Sequence, residues 1–188
     1  MIMVDPNSAV VDAEIARGRF KCPYDNARMI LWGRGRRRVV GGVGYLCPRR
    51  MRCTISLATH VLLPRVLLLR RADRVDRIGR QLELAATGMG YRKVAQASRA
   101  SPDTVRRRIV RCCDNTSAVA AAVTRIVAQV DPMAPHGFGS GVIAVVDAAG
   151  KLASALRRAR GIAFKAAPWR AMSQATGGRM LSPRYSPV

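Results

Sequence analysis

The feature that most constrains this chain is its excess of positive charge. The 188 residues carry 33 Lys+Arg against 11 Asp+Glu, which gives a formal net charge of +22. Self-repulsion on that scale disfavours a compact state unless a polyanion neutralises it. Yet 49% of the residues are hydrophobic, enough for a buried core. We therefore expect a folded protein whose partner is a polyanion. Nucleic acid is the first candidate, and an anionic membrane surface is the second.

Several other classes of protein fit the sequence poorly. No apolar run approaches the roughly 18 residues of a membrane span, and the acidic start has no apolar segment of the kind found in secretory signals. Without an export signal, the five cysteines suggest thiols or metal ligands rather than a disulfide framework. The few acids are not arranged for two-metal catalysis. We expect a cytoplasmic, nucleoid-associated protein that is not an enzyme and does not bind membranes.

Charge and hydrophobic periodicity divide the chain into five segments. The basic excess begins at Arg17, after an acidic start, and is densest through Arg111. The predicted fold class is mainly α with a small N-terminal β-ribbon and a helix-turn-helix core. The predicted segments are a flexible lead-in (1–16), a degenerate zinc-ribbon-like β module (17–64), a helix-turn-helix DNA-binding domain (65–111), C-terminal helices (112–167) and an irregular tail (168–188).

Three consecutive helices predict the helix-turn-helix. Helices are expected over 66–87, with a break allowed near Arg70-Arg71-Ala72, and over 91–99. A third runs from Ser101 to about Arg111. Ser101 is a candidate N-cap, with Pro102 at the first helical position and an acid in the first turn. A small core of Val94, Val105 and Ile109, with Ala95 at the close approach of two helices, would join them. Later helices are expected over 116–130 and 141–160.

In a helix-turn-helix, the second helix of the motif enters the major groove of DNA. Arginine there binds guanine through O6 and N7 or neutralises phosphate. Successive helical residues lie about 100° apart, so Arg107 and Arg111 share one face, and we expect Arg108 to continue it. Which arginine would contact a base stays open. The predicted DNA-binding residues are Tyr91, Arg92, Lys93, Ser101, Thr104, Arg106, Arg107, Arg108 and Arg111.

Two short motifs, each with one cysteine of a Cys-x2-Cys pair, predict a candidate metal site in the β module. Cys22-Pro23-Tyr24-Asp25 and Cys53-Thr54-Ile55-Ser56 would form a Cys-x2-Cys zinc ribbon if Asp25 and Ser56 were cysteines. The less strained ligand set is Cys22, Asp25, Cys53 and His60. A set with Cys47 in place of Asp25 needs a sharp turn, since an extended strand would hold Cys47 and Cys53 about 20 Å apart. Two alternatives stay open: a zinc ion held by these residues, or a ribbon that folds without metal.

Seven short stretches of the sequence carry a family resemblance, and they are Cys22-Pro23, Trp32-Gly33, Arg50-Met51-Arg52-Cys53, Thr59-His60-Val61-Leu62-Leu63-Pro64, Gly90-Tyr91-Arg92, Ser101-Pro102-Asp103-Thr104-Val105-Arg106-Arg107 and Thr176-Gly177-Gly178-Arg179-Met180-Leu181. Together they resemble a family of small bacterial helix-turn-helix proteins of unknown function that is common in high-GC genomes. The family is related to the DNA-binding N-termini of insertion-sequence transposases. The resemblance implies a zinc-ribbon-like module joined to a DNA-binding helix-turn-helix. Asp25, Ser56 and Arg108 depart from the family pattern of two cysteines and an aromatic residue.

The leading functional hypothesis is a binder of double-stranded DNA, acting as a transcriptional regulator or as a mobile-element-derived protein. Two alternatives stay open: a non-specific basic nucleic-acid-binding protein, whose affinity would depend on charge alone, and a decaying copy without function. The helices at 116–130 and 141–160 could form a homodimer contact, or their apolar faces could pack on each other.

Overall fold

The computed structural model describes residues 1–40, 44–134, 137–160, 167–183 and 185. Within these residues the chain forms six strands and seven helices. The strands are β1 (Ile2–Val4), β2 (Met29–Arg34), β3 (Arg38–Val40), β4 (Gly44–Leu46), β5 (Arg49–Cys53) and β6 (Thr59–Pro64). The helices are α1 (Ser8–Ala16), α2 (Val75–Ala86), α3 (Tyr91–Ala97), α4 (Pro102–Asp114), α5 (Thr116–Val130), α6 (Gly141–Arg160) and α7 (Pro168–Ala175).

The strands form two sheets, and the predicted fold class is wrong. Four strands make a mixed sheet in the order β1-β6-β5-β2, while β3 and β4 pair in a separate antiparallel sheet. The protein is therefore an α/β fold rather than a mainly α fold with a small ribbon. The added strand is β1, which pairs in parallel with β6, with Ile2 beside Leu62. A strand of three residues is too short to show the alternation by which strands are recognised in a sequence.

The first 16 residues are not a flexible lead-in, because they cover one face of the sheet. Helix α1 begins after Asn7, whose side-chain oxygen accepts a hydrogen bond from the Ala9 N–H at 3.0 Å. Val11 of α1 is buried in one cluster with Met29 of β2 and Met51 of β5. Burial of these apolar side chains between helix and sheet stabilises the N-terminal part of the chain.

The largest core lies among the helices. Its buried side chains come from α2, α4, α5, α6 and α7, for example Ile78, Val123 and Leu152. Helices α5 and α6 have the predicted bounds, and their apolar faces contribute to this shared core. No helix in the described part of the chain is both long enough and apolar enough to cross a membrane.

The predicted irregular tail contains a packed helix, so that prediction is also wrong. Pro168 stands at the start of α7, where its missing N–H costs no helical hydrogen bond. The indole of Trp169 lies against Gly79 of α2, and a Cβ built at Gly79 would come within 2.2 Å of the ring. The indole N–H donates to Glu83 Oε1 at 2.7 Å. Helix α7 is thus fixed to α2 by both packing and a hydrogen bond.

Helix α2 corresponds to the second part of the predicted 66–87 helix, after the break that the sequence allowed near residues 70–72. It begins at Val75 rather than near residue 66. The preceding residues form a turn in which Leu67 and Arg74 make an isolated antiparallel bridge. Arg70 within that turn has a φ of 58°, in the left-handed region that a helix cannot contain. The apolar side chains of residues 66–69 therefore reach the core from a loop.

Candidate nucleic-acid interface

Helices α3 and α4 are joined by a short turn, and α3 ends at Ala97, two residues before its predicted end. Residues 98–101 connect them, and the Ala100 N–H donates to the Ala95 carbonyl at 2.9 Å. Arg99 has a φ of 48°, which turns the chain sharply between the helices. Pro102 occupies the first turn of α4 and Ser101 its N-cap, although the Ser101 side chain makes no capping hydrogen bond. The start of α4 is confirmed at the predicted residue.

A small hydrophobic cluster holds these helices together. Val94 and Ala95 of α3 and Val105 of α4 are buried against one another, and Ile109 packs against them. These are the four residues that the sequence predicted for the core of the motif. Ala95 is only 1% exposed, so a larger side chain there would separate α3 from α4.

The opposite face of α4 is open and carries three arginines. Arg106 and Arg107 are exposed and Arg111 is half-buried. All three line a groove of about 550 Å³ that runs along the helix. Arg107 and Arg111 are one helical turn apart, as predicted, so their guanidinium groups can contact one extended anion such as a nucleic-acid backbone.

Two acids that were not among the predicted DNA-binding residues also border this groove. Asp103 lies in the first turn of α4 and Asp114 at its last residue. A carboxylate at the start of such a helix can accept a hydrogen bond from cytosine N4. The other wall is formed by Ser182 and Pro183, which follow the chain's last described helix. The positive part of the groove is thus confined to its middle.

Arg108 does not lie on this face, and its predicted role in DNA binding is corrected. Its side chain is buried, with an overall exposure of 4%. It forms an ion pair with Asp73 and donates to Gln81 Oε1 at 2.7 Å. Because the guanidinium is enclosed by α2 and the turn before it, Arg108 cannot reach a nucleic acid in this structure.

The Arg108 contacts belong to a polar network that positions the turn between α3 and α4. Gln81, fully buried, donates to the Ser98 hydroxyl at 2.9 Å, and that hydroxyl donates to the Val94 carbonyl at 2.8 Å. Arg77 donates to Asp73 and to the carbonyls of Ser98 and residue 99, each at 2.9 Å. A buried polar network stabilises most when every member has a partner, and in this one the buried Arg108 Nε has none. Sequence reasoning missed the network because its members are far apart in the chain.

The remaining predicted DNA-binding residues lie around α3 and the start of α4. Arg92 and Lys93 are exposed, whereas Tyr91 is half-buried and its ring lies 5.7 Å from the Arg92 guanidinium. Ser101 is exposed and Thr104 is half-buried. Tyr91, Arg92 and Lys93 line a separate hollow with residues 87–90 at the start of α3. None of these five side chains borders the groove along α4.

Three of the four predicted metal ligands of the β module lie close together. The ligand atoms of Cys22, Asp25 and Cys53 all lie within 4.8 Å of one another. Both thiols are buried and Asp25 is exposed. Cys53 Sγ accepts hydrogen bonds from the N–H groups of Ile55 and Ser56, each at 3.4 Å. The Asp25 carboxylate is 3.2 Å from Cys53 Sγ.

His60 and Ser56 lie at the side of this cluster. His60 Nε2 is 3.8 Å from Cys22 Sγ, and Ser56 Oγ is 3.7 Å from the same sulfur. Cys47 lies elsewhere, because its thiol donates to the Gly35 carbonyl at 3.0 Å. The alternative ligand set with Cys47 is therefore excluded by the structure.

Hydrogen bonds within the cluster favour an ionised Asp25 carboxylate and lower the pKa of the Cys53 thiol. The Ala27 N–H and hydrogen bonds from neighbouring thiols hold the pKa of Asp25 well below its usual range. Burial raises the pKa of the Cys53 thiol, but hydrogen bonds from the Ser56 hydroxyl and from backbone N–H groups outweigh that effect and lower it. A thiolate, not a thiol, binds metal. Two sulfurs and a carboxylate fit the ligand preferences of Zn²⁺, and the adjacent His60 is the candidate for a fourth position.

Neither the family models nor the curated proteins and solved structures include a match to this chain.

Proposed function

We propose that this protein binds double-stranded DNA through α4, which acts as the recognition helix of a helix-turn-helix. The observation that carries the proposal is the division of α4 into two faces. Val105, Arg108 and Cys112 are buried, while Arg106, Arg107 and the half-buried Arg111 line an open groove. The short turn from α3 fixes α4 on the surface with its N-terminal residues accessible, as major-groove binding requires.

Electrostatics support the same proposal. A protein that neutralises phosphates with arginine releases counterions from DNA, which provides affinity independent of sequence. Sequence discrimination then needs side chains that reach base edges, and arginine is the residue that most often contacts guanine. Arg107 is the best-placed candidate because it is exposed and lies within the first two turns of α4. We propose a nucleoid-associated regulator or mobile-element-derived DNA binder on this basis.

The test is selection from a random duplex library by the purified protein at physiological salt. We expect an enriched motif, which Arg107→Ala weakens by about 1–3 kcal/mol if the side chain contacts a base. The matched control is Arg157→Ala, which removes the same charge from an exposed position on α6. The control should weaken binding to all sequences alike. Unchanged binding by the double variant Arg107→Ala, Arg111→Ala would overturn the proposal.

The second candidate function is charge-driven binding to any polyanion. It is favoured by the number of arginines outside α4, for example the exposed Arg34, Arg36 and Arg50. Under this reading, no motif would be enriched. The logarithm of affinity would also fall with salt at a similar slope for duplex DNA, RNA and heparin. If affinity instead differed more between DNA sequences than between duplex DNA, RNA and heparin, the helix-turn-helix proposal would stand.

A further inference from the structure

The outer face of the four-stranded sheet has features that duplex binding by α4 does not use. Met29 and Met51 point to the α1 side of the sheet, where they are buried. Their strand neighbours Ile30 and Arg52 pair across β2 and β5 and lie on the other face. Ile30 is 43% exposed, so this face is open at the β2 edge of the sheet.

Trp32 is turned onto this open face by an irregularity in β2. The pairing of β2 with β5 shifts between Leu31 and Gly33, which leaves Trp32 as the extra residue of a bulge. Gly33 has a φ of 133°, a conformation that residues with a side chain rarely adopt. The indole is 53% exposed, and the Arg52 guanidinium lies 4.4 Å from its ring centroid. The Arg52 side chain is positioned by a hydrogen bond that its Nε donates to the Leu57 carbonyl at 3.2 Å.

The β4 strand repeats this arrangement. Tyr45 is 68% exposed, and the guanidinium of Arg37 lies 3.7 Å from its ring centroid. Large aromatic side chains are usually buried for much of their area, so two exposed rings, each in contact with an arginine, need an explanation.

The charge around these rings points to the class of partner. Between Asp25 and Asp73 the sequence contains 11 arginines and no Asp or Glu. Two of these arginines are paired with acids of the N-terminal segment, Arg49 with Asp12 and Arg65 with Asp5. The outer face itself carries Arg50 and Arg52 and has no acid on either paired strand. An anionic partner with flat apolar groups is complementary to this surface.

We propose that the outer face of β2 and β5, centred on Trp32, binds single-stranded nucleic acid. An unpaired base would stack on the open side of the indole, while Arg50 and Arg52 would contact the adjacent phosphates. A duplex does not fit this role, because its base faces are already stacked within the helix. The surface is therefore distinct from the groove along α4 and extends the protein's binding to unpaired strands.

The test uses the full-length chain and the fluorescence of Trp32. The sequence has two tryptophans, and Trp169 is only 5% exposed. Addition of oligo(dT) or oligo(rU) should quench the emission of the exposed tryptophan, and the two oligonucleotides show whether DNA or RNA is preferred. Trp32→Ala should weaken oligonucleotide binding about 5- to 150-fold, the range for loss of one base–aromatic stack. Trp32→Tyr keeps a ring and should restore most of the affinity.

The matched control is Leu31→Ala on the same strand. Leu31 is 54% exposed but pairs with Met51, whose side chain points to the α1 side, so its truncation should leave oligonucleotide binding unchanged. Arg107→Ala should weaken selected duplex binding and leave oligo(dT) binding intact, which separates this proposal from that for α4. Equal affinity of Trp32→Ala and the unmodified protein would overturn the proposal. Quenching by anionic lipid vesicles but not by oligonucleotides would also overturn it.

Discussion

Replacement of Arg108 by alanine should lower the free energy of unfolding of the protein without removing a DNA contact. The guanidinium is 4% exposed and pairs with Asp73 and Gln81. Loss of the arginine leaves the buried Gln81 Oε1 without a partner, which costs about 1–3 kcal/mol. Asp73 loses less, because Arg77 still donates to it at 2.9 Å and water reaches its side chain. With the packing of the aliphatic stem included, we expect a loss of about 3 kcal/mol of unfolding free energy.

The assay is urea denaturation followed by circular dichroism, with Arg106→Ala as the matched control. Arg106 is the exposed arginine two positions earlier on the same helix, so its truncation should change stability by less than about 0.5 kcal/mol. In conditions where both variants are folded, only Arg106→Ala should reduce duplex affinity directly. If Arg108→Ala left stability unchanged but abolished DNA binding, the buried network would be the wrong account of this residue.

Three further results follow from the packing and the thiols. Gly79→Ala should destabilise the protein by about 1–3 kcal/mol, because the new methyl group meets the indole of α7. By contrast, Gly150→Ala at an exposed position of α6 should raise the melting temperature. If Gly79→Ala melted at the higher temperature of the two variants, the contact between Gly79 and Trp169 would be contradicted. Burial raises the pKa of the Cys112 thiol to about 12. At pH 8 iodoacetamide should therefore modify the exposed Cys113 before Cys112. Mass spectrometry of the peptides would show which of the two thiols reacts. Added Co²⁺ should give a thiolate charge-transfer band that Cys53→Ser weakens, and no band in the unmodified protein would contradict metal binding.

Local signals predicted the helical part of the candidate interface well. The Ser-Pro-Asp sequence at residues 101–103 predicted the start of α4, because capping and the helix dipole act on the first turn alone. The core residues Val94 and Val105 followed from their spacing. The role of Arg108 could also have been suspected. It lies three residues after Val105 and four before Cys112, which places it on the buried stripe of the helix.

Elements that depend on distant partners could not be predicted in the same way. Strand β1 has three residues and is defined by its pairing with β6, some 60 positions later. Helix α7 has eight residues, of which the first is a proline, and two glycines follow it closely, so its local sequence indicates loop as strongly as helix. Its stability comes from burial of Trp169 and Met172 in the helical core. Tertiary packing, not propensity, decides these segments.

The contact between α7 and α2 has a consequence for how the protein is made. Trp169 of α7 donates a hydrogen bond to Glu83 of α2, which is synthesised 86 residues earlier. Domains are synthesised from the N-terminus, and contacts of long sequence separation form late. The nascent chain therefore exposes an apolar slot on α2 while α3 and α4 are already outside the ribosome. The helices that we propose for DNA binding therefore gain the support of α7 only after Pro168–Ala175 has left the ribosome.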